Sequence, residues 1–127
     1  MYKVRRRLKD GSLIFTLFFL LILITNPGCN EEDNPTGGTP GTNEVFLRSG
    51  SFSPSSKTVT VGTTIKWINK ANATHNIISG TPGAPSGIFN SGDKGLNGEF
   101  THTFTTAGSF PYFCSHHSGM TGTIIVQ

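Results

Sequence analysis

The chain has 127 residues, with ten Lys and Arg against seven Asp and Glu and a formal charge of +3, a size that suits one domain and hardly two. The excess is local: Lys3, Arg5, Arg6, Arg7 and Lys9 crowd the first ten residues. From Cys29 onward five bases face six acids, which removes the basic patch that nucleic-acid binding needs.

Residues 13–24 read LIFTLFFLLILI. A basic stretch followed by a short apolar run is the pattern of a secretory signal, and this run falls short of the ~20 residues of a bilayer span. A retained membrane anchor is the competing reading. The run ends in Thr25-Asn26-Pro27-Gly28-Cys29. A small residue before a Cys, just past an apolar run, resembles the lipobox of bacterial lipoproteins, although Asn26 stands where an aliphatic residue is usual. The resemblance implies a signal peptide over residues 1–28 and lipidation of Cys29. It further implies an exported protein, held by its lipid on the periplasmic side of the envelope or at the cell surface. The acidic triplet Glu31-Glu32-Asp33 is also found in lipoproteins that some bacteria export to the surface.

The chain has two Cys. In an exported protein a pair normally reads as one disulfide. With Cys29 lipidated, Cys114 has no partner. A lone thiol in an oxidising compartment is a liability unless it is used, and metal ligation is the natural use. A Cys29–Cys114 disulfide is the alternative.

Residues 29–43 carry Pro, Gly and acidic residues and no large apolar side chain. They form a flexible tether that cannot bury a core. The folded domain is therefore residues 44–127. A domain so small is marginal on burial alone, and a bound metal would add its binding energy to folding.

No part of this domain has helical periodicity; short β-like runs recur between turn signals. Val45-Phe46-Leu47 is the first. In Lys57-Thr58-Val59-Thr60-Val61, Val59 and Val61 share a face. In Thr64-Ile65-Lys66-Trp67-Ile68, Ile65 and Trp67 do. His75-Asn76-Ile77-Ile78 is a fourth strand. Residues 79–98 hold six Gly and two Pro and are expected to be mostly loop. Residues 100–104, 109–114 and 121–126 complete the set. The expected fold class is all-β, a sandwich of about seven to eight strands.

Cys114, His117 and Met120 lie at C-x2-H-x2-M spacing, between a strand ending at Cys114 and one starting at Thr121. A loop that short can turn a thiolate, an imidazole and a thioether toward one point. Soft sulfur ligands select copper(I), imidazole suits both copper oxidation states, and His2Cys with a long axial Met is the blue-copper arrangement. The second imidazole must come from elsewhere, and His75 at the start of its strand is the candidate.

WINKANATHNI and FPYFCSHHSGMTGTIIV resemble the two signature stretches of plastocyanin-like cupredoxins, a family of type 1 copper proteins with a Greek-key β-sandwich. The loop spacing is most similar to the amicyanin group of that family. The resemblance spans nearly all of residues 44–127. It implies one copper ion, cycling between Cu(II) and Cu(I), on His75, Cys114, His117 and Met120. It also implies that Asn76 ties the two ligand loops together by bonding Ser115, a contact that restrains ligand geometry. Phe113 fits the outward-facing aromatic that lies near an electron-transfer surface in the family.

His116 stands where close relatives carry Pro. As a neighbour of His117 it is a rival ligand, but adjacent residues of an extended loop point to opposite sides, which leaves it at the rim. His102 shares phase with Phe100 and Phe104 and reads as structural. Trp67 reads as core, and Lys66, Lys70 and Lys94 as solvated surface. Electrons would leave through His117, whose ring edge is expected in an apolar patch with Pro82, Ile88, Phe89 and Gly119.

The expected function is electron transfer by a monomer serving redox partners of the envelope electron-transport chain. Copper enzymes that pair the blue site with a second copper site place a His beside the Cys. Here the neighbours are Phe113 and Ser115, and with four His in all a catalytic cluster cannot be assembled, so no enzyme is expected. The alternative is a non-redox copper carrier or scavenger.

Overall fold

The computed structural model describes residues 38–127. The expected signal peptide, the expected lipidation site Cys29 and most of the expected tether lie outside the described residues. Among the described residues there are nine strands and no helix: β1 Glu44–Arg48, β2 Ser51–Ser53, β3 Ser56–Val59, β4 Thr64–Asn69, β5 Ile78–Thr81, β6 Ala84–Asn90, β7 Glu99–Thr103, β8 Gly108–Phe113 and β9 Thr121–Val126. One sheet has the order β2-β1-β4-β7 and the other β3-β9-β8-β5-β6. Two pairings are parallel, β1 with β4 and β3 with β9. Parallel neighbours need a crossover, so the chain passes repeatedly between sheets and makes a Greek-key sandwich.

Alternation decides what the sandwich buries. Val45 and Leu47 of β1, Ile65 and Trp67 of β4, Tyr112 of β8, and Ile124 and Val126 of β9 all join one core. Trp67 is wholly buried. Its ring centroid lies 5.5 Å from that of Tyr112, 5.7 Å from those of Phe89 and Phe100, and 6.4 Å from that of Phe104. It is the hub of an aromatic cluster that joins both sheets. Gly122 lets Tyr112 lie against β9: a Cβ there would collide with the Tyr112 ring.

The outer face of the first sheet is tied across strands. Thr64 and Thr103 face each other in register and their hydroxyls lie 2.7 Å apart. Lys66 is less free than its sequence context implies, since its Nζ meets Glu44 at 3.3 Å and Glu99 at 3.5 Å. Phe46 and Ile68, paired in register, are both buried on this face. The Arg48 guanidinium and the Lys70 ammonium lie over the Phe46 ring, 5.2 and 5.6 Å from its centroid, cation–π contacts on the outer face.

Three strand readings are corrected. Residues 79–98 are not mostly loop. β5 and β6 form a hairpin across Pro82 and Gly83. Gly80 has φ 110° and a Cβ there would meet the Ala84 carbonyl at 2.5 Å, so a glycine that looked like a loop signal is what lets β5 and β6 close. His75 is not inside a strand: it makes one isolated bridge to Lys94, and β5 begins three residues later. Val61 lies past the end of β3 and is 49% exposed. β2 and β6 raise the strand count from the expected seven or eight to nine.

His102 sits on β7 between Phe89 and Phe104, with both ring centroids 4.8 Å away. Burial pushes its pKa below the ordinary 6.5, so the folded chain favours neutral imidazole. The unfolded chain takes up the proton first as pH falls. Stability is therefore full above about pH 6.5, declines below it, and stops declining once pH is under the folded-state pKa. Glu44 and Asp93 are held low as well, but they act in the more acidic carboxylate range. We expect the urea midpoint of the metal-free protein to be lower at about pH 5 than at about pH 7.5, with His75, whose pKa is also lowered, sharing the effect, and His102→Leu to reduce that slope. An unchanged slope in the variant would remove His102 from this role.

Candidate metal centre

Two backbone segments bring the site together. The first is the loop between β8 and β9. The Cys114 amide donates to the Met120 carbonyl at 3.0 Å, and the Met120 amide donates to the His117 carbonyl at 3.2 Å. Gly119, with φ 78°, supplies the left-handed turn. Cys114 and Met120 thus lie at the two joined ends of a closed loop, both buried in the same core cluster.

The second segment carries His75. Its amide donates to the Lys94 carbonyl at 3.0 Å and the Lys94 amide donates back at 2.7 Å. The turn before it is built around Asn69, which is fully buried. Its Nδ2 donates to the carbonyls of Ala73 and Lys94 at 2.7 and 2.8 Å, and its Oδ1 accepts from the Ala71 amide at 2.9 Å. Asn69 was not singled out in the sequence. An Asn ending an alternating strand, six residues before a candidate ligand, is the signal that could have found it.

His75, Cys114 and His117 converge, with one potential ligand atom from each lying within 4.8 Å of the others. Cys114 Sγ is 3.7 Å from His75 Nδ1 and 3.7 Å from His117 Nδ1. The two rings are stacked, with centroids 4.3 Å apart and planes inclined at 29°. A first-row ion bonded to sulfur at about 2.3 Å and to nitrogen at about 2.0 Å, with trigonal angles, holds those donors about 3.7 Å apart. The donors fit a metal in both spacing and chemistry, since thiolate, imidazole and thioether are the set that suits copper. Burial first, then the neighbouring His117 and His116, lowers the pKa of His75. This favours the neutral imidazole that ligates metals. Its Nε2 is buried without a hydrogen-bond partner.

Asn76 joins the two segments as expected, and does so twice. Its Nδ2 donates to Ser115 Oγ at 2.8 Å, and its Oδ1 accepts from the Ser115 amide at 2.9 Å. His116 turns away from the cluster: its Nε2 lies 2.7 Å from Asp93 Oδ1. The Asp93 side chain is mostly exposed and that of His116 less so. The contact lowers the Asp93 pKa.

A cleft of about 260 Å³ is lined by His117, Cys114, Ser115, Pro82, Gly83, Phe113, Ser118 and Gly119. Pro82 and Gly119 lie where the sequence placed them. Ile88 and Phe89 do not line it; Phe89 is buried in the aromatic core, because it faces inward on β6 while Ile88 faces out. Phe113 is 7% exposed, so it borders the cleft without projecting as a surface aromatic.

A Greek-key sandwich whose short inter-strand loop brings Cys, His and Met beside a second His defines a cupredoxin with a type 1 copper site. The chain belongs to the plastocyanin/azurin family of copper-binding proteins, whose pattern matches residues 47–127. It is 43% identical over 84 residues to a plastocyanin from Scenedesmus fuscus, an alignment that covers 60% of this chain and 86% of that protein. Among solved structures it resembles a purple cupredoxin from Nitrosopumilus maritimus, with a TM-score of 0.62 and 29% identity over 66% of this chain and 98% of the other. An amicyanin variant in its Cu(I) form gives a TM-score of 0.60 and 25% identity over 73% and 89% of the two chains.

Proposed function

We propose that the chain holds one copper ion on His75 Nδ1, Cys114 Sγ, His117 Nδ1 and the Met120 thioether, and carries single electrons between partner proteins of the cell envelope. The carrying observation is the pair of equal 3.7 Å separations from one buried sulfur to two imidazole nitrogens. Copper bound there supplies a one-electron couple between Cu(II) and Cu(I).

The protein's part is to keep its donors still while charge changes. His75 is fixed through Lys94, Ser115 through Asn76, and Cys114 and Met120 through each other. Outer contacts of this kind orient ligands and tune the metal. His117 is only partly buried and borders the cleft, which makes its ring the exit for electrons and the cleft the place where a partner docks. Phe113 and Ser115 flank Cys114, and among the described residues the remaining imidazoles, His102 and His116, face Phe89 and Asp93. That arrangement supports a carrier and not an enzyme. Export with a lipid on Cys29, and a monomeric state, complete the proposal.

The chain reconstituted with Cu(II) is expected to be intensely blue from thiolate-to-copper charge transfer and to reduce and reoxidise reversibly with copper retained. A colourless complex, or one that releases copper on reduction, would instead mark a non-redox carrier.

A further inference from the structure

We infer that Asp93 is a positioning residue for the metal centre, clamping the ligand loop from outside through His116 and Asn76. The inference rests on the assignment of His75, Cys114 and His117 as ligands. Asp93 lies between β6 and β7, next to Lys94, and Lys94 is hydrogen-bonded to His75 in both directions. The backbone beside Asp93 is thus pinned to one proposed ligand. Its carboxylate accepts from His116 Nε2 at 2.7 Å, and Asn76 Nδ2 lies 3.5 Å from the same oxygen.

Those two contacts reach the other ligands. His116 sits between Ser115 and His117, two residues from Cys114. Asn76 holds Ser115 by its amide and by its hydroxyl. One carboxylate therefore closes a circuit from His75 through Lys94 and Asp93 to His116 and His117, with Asn76 as a cross-brace. A proline at position 116 would fix φ near about −65° and stiffen the loop by itself. Histidine leaves that angle free, and the ring contact to Asp93 replaces the missing stiffness. The same contact separates two adjacent imidazoles, one turned to the carboxylate and one to the sulfur.

The clamp is exposed, and exposed pairs are weak; outer-shell partners at metal sites nonetheless change affinity measurably. In the full chain, Asp93→Ala is expected to weaken Cu(II) binding by about five- to tenfold in a competition titration and to slow electron self-exchange, with the thiolate band retained. His116→Ala should weaken binding by no more than Asp93→Ala does, since the Asn76 contact survives, and the double variant should lose no more than Asp93→Ala alone. Asp93→Asn should recover most of the loss, because its amide oxygen still accepts from His116. Affinity and self-exchange within twofold of the parent in Asp93→Ala, or strictly additive losses in the double variant, would overturn the clamp. A parent chain without the thiolate band overturns the ligand assignment itself, a result separate from either of these.

Discussion

Replacing Cys114 by alanine is expected to abolish the visible band of the copper-loaded protein altogether. The thiolate is the charge-transfer donor, and no other side chain among the described residues can replace it, since Cys114 is their free cysteine. Two imidazoles and a thioether remain, so some copper binding survives. Its affinity should fall by more than the ~10- to 100-fold typical of losing an outer-shell partner. His116→Ala is the control for the ligand assignment. The His116 ring faces Asp93, so this variant keeps the band while the clamp loosens. A bleached His116→Ala, or a Cys114→Ala that stays blue, would show that the ligands are misassigned. Absorption and electron paramagnetic resonance on the two variants decide the matter together.

Trp67→Ala is expected to have the largest effect on stability. The side chain is fully buried and packs on Phe89, Phe100, Phe104 and Tyr112. Removing it loses apolar burial and leaves a cavity, at a cost of about 3–5 kcal/mol. Total stabilities run at about 5–15 kcal/mol, and small domains sit low in that range. With a midpoint shift of about 4–8 °C per kcal/mol for a domain of this size, the metal-free variant should melt at least ~12 °C below the parent. Copper should restore part of the loss, by about 2.7 kcal/mol when free copper is 100-fold above its dissociation constant. Thermal denaturation with and without copper measures both effects. A shift of only a few degrees would mean that the aromatic hub is not what joins the sheets.

Much of this was legible because the chemistry is concentrated in sequence. Cys114, His117 and Met120 lie within one short loop, and alternation around Trp67 and Tyr112 marks the core. His75 was found from its neighbours and from family resemblance, since nothing local places it beside Cys114. What sequence could not show depends on long-range pairing. The parallel partnerships of β1 with β4 and β3 with β9 leave no local trace. Gly80 and Gly83 read as loop because glycine signals freedom of φ, whereas here that freedom serves a hairpin. Asp93 drew no notice because its meaning comes from His116, 23 residues away. Asn69 is half a similar case: it bonds locally to Ala71 and Ala73, but the bond that ties its turn to the His75 bridge goes to Lys94, 25 residues away.

The pairing of β9 also bears on the order of events during biosynthesis. β9 closes the loop against β8 and pairs along its other edge with β3, a strand made much earlier. Of the nine strands only β9 follows Cys114 in the chain, so the thiol is not closed in until this last strand pairs with β8 and β3. Folds dominated by such distant pairings take milliseconds to seconds to form. Throughout that interval the thiol is unshielded, open to oxidation or to capture of a wrong metal. The same topology that holds the finished site still makes its assembly the hazardous stage in the life of the molecule.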